Sequence, residues 1–170
     1  PKSPVFALIL LIFCYFRRVN SKNHMHYQRI NNLLGWLVFI AASAVYILTL
    51  EPTASYWDCG EFIAVSYKLE VPHPPGAPLF LLIGRMFSFL AGGDTSQVAY
   101  WINMSSAISS GLTIMFLFWT ITILSRKLLK VEASQTDTAQ QLTIFGAGLI
   151  GALAFTFRYT FSFTAVEAEV

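Results

Sequence analysis

The sequence predicts an all-α polytopic membrane protein, and three observations carry that reading. Charged residues make up only 12% of the 170, while 55% are hydrophobic. A soluble domain carries about 25% charge, so a chain this poor in charge needs lipid to cover much of its surface. Three stretches, 33–50, 98–124 and 142–157, hold no charged residue. Each approaches or exceeds the roughly 20 apolar residues that cross a bilayer as a helix. Finally, Arg17, Arg18, Lys22 and Arg29 precede the first stretch, and Arg126, Lys127 and Lys130 follow the second. Cytoplasmic loops collect Lys and Arg, so an even number of crossings should separate the two clusters.

The elements follow in order. The segment 1–30 reads as a cytoplasmic or membrane-associated N-terminal part. Its apolar run 5–16 is too short to span comfortably, and its basic pair follows the run, unlike a secretory signal. The stretch 33–50 is the first span, and 51–97 forms an outer loop. Within that loop, 77–91 is apolar but short and contains Arg85, whose charge is costly at bilayer depth. It is expected as an interfacial or re-entrant helix, not a crossing. The stretch 98–124 returns inward, 125–141 is a polar inner linker, and 142–157 leads to a second outer segment. Seven of the nine acidic residues then fall outside: Glu51, Asp58, Glu61, Glu70, Asp94, Glu167 and Glu169. Acids contribute little to topology, so this bias asks for another cause.

Chemistry concentrates in the first outer loop. A helix starting near Asp58 places Asp58 and Glu61 on one face. Paired acids at the mouth of a membrane cavity suit proton abstraction from an acceptor hydroxyl. The same Asp-x-x-Glu spacing also fits a capping box, with Asp58 as N-cap and Glu61 at N3. The run His73-Pro-Pro-Gly76-Ala-Pro78 is a rigid turn entering a helix. A helix start offers free N–H groups to a phosphate, with His73 beside it and Arg85 about two turns on. The plainer alternative is a stiff connector with a snorkelling Arg. Asn103-Met-Ser105 has the form of a glycosylation acceptor but lies in a span. The small residues 103–111, and Gly146, Gly148 and Gly151, read as close helix packing. Glu167 and Glu169 either face the first loop's acids or are simply solvated. No metal-ligand spacing exists among Cys14, Cys59, His24, His26 and His73. The net charge of +2 gives no reason to expect nucleic acid.

The runs Glu51-Pro-Thr-Ala-Ser-Tyr-Trp-Asp58-Cys-Gly-Glu61-Phe-Ile, Lys68-Leu-Glu-Val-Pro-His73-Pro-Pro-Gly76-Ala-Pro-Leu-Phe and Thr164-Ala-Val-Glu167-Ala-Glu169-Val resemble a bacterial multi-pass family, domain of unknown function 2723. That family is similar to the protein O-mannosyltransferases. The resemblance covers 31–170, and it implies the N-terminal part of a transmembrane helix bundle of the GT-C type. It implies an enzyme that moves a hexose from a polyprenyl-phosphate donor to a protein or glycan hydroxyl, at the outer face of a bacterial inner membrane. Carried over, Asp58 matches the loop's acidic position as general base, with Glu61 as the second acid. His73 and Gly76 belong to a motif beside the donor phosphate, and Glu167 and Glu169 match a second acidic motif. Arg85 remains a substrate-binding candidate from its spacing alone, not from the resemblance. No cofactor is implied beyond the lipid-linked sugar, and the metal requirement is left open. The expected partners are membrane lipid, the sugar donor and the acceptor. A transporter or export component, or a structural subunit of the cell envelope, is the rival reading. Transporters usually place ionisable groups in their spans, and these spans contain none.

Overall fold

A computed structural model describes residues 4–50, 52–54, 58–74, 76–131, 137–158 and 164–166, with side chains described from residue 26 onward. Every regular element among them is helical. Helix α1 runs Pro4–Leu48, α2 Cys59–Lys68, α3 Pro78–Ser88, α4 Val98–Leu128 and α5 Thr138–Thr156, with short 3₁₀ turns at Phe89–Ala91 and Thr95–Gln97. Three helical stretches are long and apolar enough to cross a membrane: His26–Leu48, Thr95–Leu128 and Thr138–Thr156. The first, at 23 residues, reaches about 34 Å at 1.5 Å per residue.

Helix α1 continues unbroken from the apolar run 5–16 into the first span. No Gly or Pro lies between Val5 and Leu34 to stop it, and only such residues strongly oppose helix propagation.

Helix α4 is the centre of the bundle. Tyr46 of α1, Ile114 and Phe118 of α4, and Ile144 and Ala152 of α5 form one buried core. Small residues let the helices close on one another. A side chain at Gly35 would strike the Trp119 ring, and one at Gly148 would strike Phe118 and Thr122. Gly146, by contrast, meets nothing within 4 Å. The Trp119 indole N–H donates to the Asn31 carbonyl at 3.2 Å.

The bundle has two chemically different ends. At one, Tyr27 stacks on Phe145 at 5.0 Å and lies under the Arg126 guanidinium at 5.7 Å. At the other, the Tyr46 hydroxyl donates to the Thr156 carbonyl at 3.3 Å. Helices α2 and α3 lie between the C-terminus of α1 and the N-terminus of α4, on this second end. The linker between α4 and α5 holds one feature that its polar composition concealed. Asp137 and Gln140 form a reciprocal capping box that starts α5.

Candidate functional site at the start of two parallel helices

Helices α2 and α3 run in the same direction, although they are neighbours in sequence. Phe62 meets Phe80 ring to ring at 5.9 Å. A side chain on Gly84 would strike Ser66, and the Arg85 guanidinium donates to the Tyr67 carbonyl across the same offset of 18 residues. A constant offset means parallel axes. The chain therefore turns at the end of α2, where Leu69 takes a left-handed conformation. It runs back along α2 before α3 begins, and both N-termini come to the same end.

That return segment delivers His73 to the first turn of α2. The Glu61 carboxylate accepts the His73 backbone N–H at 2.8 Å, and its other oxygen lies 3.0 Å from His73 Nδ1. His73 Nε2 is 3.9 Å from Asp58 Oδ2. The His73 ring leans on Phe62, centroids 5.9 Å apart. All three polar side chains remain reachable by solvent.

Asp58 precedes α2 but does not cap it with its side chain. Its backbone is already helical, at φ −80° and ψ −5°, whereas a capping carboxylate needs an extended backbone to reach back to N2 or N3. Glu61 is likewise spent on His73. The capping-box alternative is therefore not realised here, and both acids present their oxygens to the histidine.

The electrostatics agree with this geometry. The His73 backbone N–H, then its side-chain hydrogen bond, hold the Glu61 carboxyl below its ordinary 4.5. The Glu61 hydrogen bond and its charge, with a smaller contribution from Asp58, raise the His73 imidazole above its ordinary 6.5. An imidazolium held between two carboxylates is the form these contacts favour.

Gly76 adopts φ +77°, and its N–H donates to the His73 carbonyl at 3.1 Å. This closes the turn that leads into α3. No neighbour crowds Gly76, so the glycine is needed for backbone conformation alone. Pro78 opens α3, where its missing N–H costs nothing.

Arg85 does not join the cluster. It lies seven residues into α3, about 10 Å from the helix start, and on the wrong end of the parallel pair. Its guanidinium closes the last turn of α2 through Tyr67 and sits over the rings of Tyr67 and Phe89 at 5.1 and 4.7 Å. Glu167 and Glu169 lie outside the described residues.

Sequence reasoning missed two features. It tested His73 only against the other histidines and cysteines. Yet Asp58, Glu61 and His73 each bring a ligand atom within 4.8 Å of the others, a set of two carboxylates and an imidazole that suits a divalent cation as well as a proton. It also read the polar stretch of α4 as packing. Close packing holds at Gly111, where a side chain would strike Ser43, and at buried Ser105, but Ser105, Ser106, Ser109 and Ser110 also line an open pocket of about 180 Å³ together with Phe80, Ile83 and Thr164. Their spacing of four residues was the available signal, since it puts Ser105 with Ser109 and Ser106 with Ser110 on one helix face.

These features define a polytopic helical membrane protein with an acid–histidine cluster at one end of its bundle. The chain belongs to the family described as the protein O-mannosyl-transferase TMEM260 N-terminal domain, which it matches over residues 58–170. It is 35% identical over 85 residues to protein O-mannosyl-transferase tmem260 of Dictyostelium discoideum, covering 50% of this chain and 10% of that protein. It is 35% identical over 88 residues to protein O-mannosyl-transferase TMEM260 of Mus musculus, covering 52% of this chain and 12% of that one. The match thus spans about a tenth of the length of these relatives, and both are eukaryotic. No solved structure matches significantly.

Proposed function

We propose that this chain is part of a GT-C-type membrane enzyme that transfers a hexose from a polyprenyl-phosphate donor to a protein or glycan hydroxyl. Mannose is the sugar that the names of the relatives indicate. The observation that carries the proposal is the convergence of Asp58, Glu61 and His73 within the segment that matches the family.

In this reading Asp58 is the general base. It takes the proton of the acceptor hydroxyl as the oxygen attacks the sugar's anomeric carbon, and the phosphate leaves with the bonding electrons. Glu61 orients His73 and keeps it cationic. His73 and the adjacent N-termini of α2 and α3 face the departing phosphate, where positive charge and free N–H groups stabilise it. Gly76 shapes the turn that brings these groups together. Glu167 and Glu169 complete the substrate-binding set. Arg85 supports α2 instead of touching the phosphate.

The acid-rich end faces away from the cytoplasm in this proposal, and the end bearing Arg126 and Lys127 faces the cytoplasm. That side is the periplasm in a bacterial inner membrane, as the resemblance to domain of unknown function 2723 implies, or the topologically equivalent lumen in a eukaryote.

The test is incorporation of radiolabelled hexose from polyprenyl phosphate by membranes containing the full-length protein. Asp58→Asn should reduce incorporation by roughly 10²–10⁴-fold, the range for loss of a general base, at unchanged protein level. Undiminished incorporation by that variant would remove Asp58 from the mechanism. Solute flux without incorporation would favour the transport reading instead.

A further inference from the structure

Asp58 and Glu61 are useful only if the first turn of α2 is held in place relative to the bundle. One side chain of α4 supplies such a hold. Asn103 is only 1% exposed, an expensive position for a primary amide in a membrane helix unless it has a specific partner. Its Nδ2 donates to the Thr53 carbonyl at 3.2 Å, across 50 residues of sequence. The next residue, Ala54, lies against the first turn of α2: its methyl is 3.9 Å from where a Cβ on Gly60 would stand. Gly60 sits between Asp58 and Glu61. Asn103 thus ties Thr53 to α4, and Ala54 beside it faces the Gly60 turn between the two acids across a gap that a Gly60 side chain would just fill.

The chemistry suits the residue. A primary amide donates to a carbonyl at fixed length, whereas a carboxylate in the same place only accepts and would repel that oxygen.

We infer that Asn103 is a positioning residue for the acid–histidine cluster: by holding Thr53 to α4 it fixes where Asp58 stands, without itself meeting substrate. The catalytic consequence rests on the sugar-transfer proposal, but the placement does not. The experiment therefore has two arms.

The first arm uses full-length protein in which Cys14, Cys59 and any other cysteine are replaced by Ala. A cysteine is introduced at Asp58 or, as a control, at exposed Lys68 on the far end of α2. Labelling by a membrane-impermeant maleimide is then timed. Asn103→Ala should change the rate at position 58 by roughly 2–10-fold, the range for one lost hydrogen bond, and leave position 68 unchanged. If Asn103→Ala does not accumulate, Asn103→Gln, which lengthens the tether by one methylene, should produce the same pattern. Equal rates at position 58 with and without the substitution would overturn the inference.

The second arm measures transfer. Asn103→Ala should lower kcat by roughly 10–100-fold through misplacement of the base, with KM unchanged. Added to Asp58→Asn it should cost nothing more, because both act on one step. Thr113→Ala, which removes only a hydroxyl bonded within its own helix, should leave kcat alone. Independent, multiplying losses from Asn103→Ala and Asp58→Asn would overturn the assignment of Asn103 to Asp58. If Asp58→Asn leaves transfer intact, the sugar-transfer proposal falls, and the labelling at position 58 still decides the placement.

Discussion

Glu61 grips His73 twice, through the backbone N–H at 2.8 Å and through Nδ1 at 3.0 Å. One carboxylate thus fixes both where the proline-rich return segment lies and which way the imidazole points. With Nδ1 engaged, Nε2 is the nitrogen left facing Asp58.

This pairing makes the loop sensitive to pH, and the sign differs for the two partners. His73 is raised in the folded state. Its contribution is complete below the ordinary 6.5 and fades as pH rises through the raised folded value. Glu61 is lowered, so its contribution is complete above the ordinary 4.5 and fades as pH falls through the depressed value. The grip is therefore strongest between 4.5 and 6.5 and loosens on either side. Maleimide labelling at a cysteine introduced in place of exposed Val71 should accelerate above that window, once corrected for thiolate ionisation. Glu61→Gln should abolish the pH dependence. A pH-independent rate in the parent protein would contradict the pairing.

Gly76→Ala should weaken the turn without any steric clash. Its φ of +77° costs an L-residue roughly 1–2 kcal/mol, and open space surrounds it. The expected result is a lower midpoint of thermal unfolding in detergent together with slower transfer. Gly76→Asn, which tolerates left-handed backbone better, should recover part of both. Equal loss in the two variants would point to a need for the absent side chain itself.

Arg85→Lys should behave as a stability variant. The guanidinium closes α2 through the Tyr67 carbonyl and covers two aromatic faces, and a lysine reproduces neither geometry well. Loss of a hydrogen bond from a charged group costs roughly 1.5–3 kcal/mol. Unfolding in detergent should shift accordingly, while KM for the lipid-linked sugar stays the same. A large rise in that KM would restore Arg85 to the donor site.

Gly148 and Gly146 should respond oppositely to alanine. At Gly148 a Cβ would sit 2.9 Å from the buried Phe118 ring and 2.8 Å from Thr122 Cγ2, and overpacking of this kind costs roughly 1–3 kcal/mol. At Gly146 nothing lies within 4 Å, so alanine should gain up to about 1 kcal/mol of helix propensity. Unfolding midpoints of the two variants would check the contrast, and equal shifts would refute the α4–α5 packing.

The span of α1 from residue 33 onward, most of α4 and α5, and the turn at Gly76 were legible because their causes are local. Hydropathy sums along the chain, and a left-handed turn needs its glycine wherever it lies. The two Asp-x-x-Glu/Gln sites show where local reasoning fails. Asp58 and Glu61 have the spacing of a capping box and do not form one, because His73, twelve residues on, takes the Glu61 carboxylate. Asp137 and Gln140 do form one, in a stretch whose composition suggested only a linker.

By itself, then, the sequence determined the three apolar helical stretches that suit lipid and which residues bear charge. Only the tertiary structure decided that α2 and α3 run parallel, which unites Asp58, Glu61 and His73 and sends Arg85 to the other end. The reason is physical: the direction in which a short segment returns is set by the packing of Phe62 on Phe80 and of Ser66 on Gly84. Those contacts lie 18 residues apart, beyond the reach of any helical or strand periodicity.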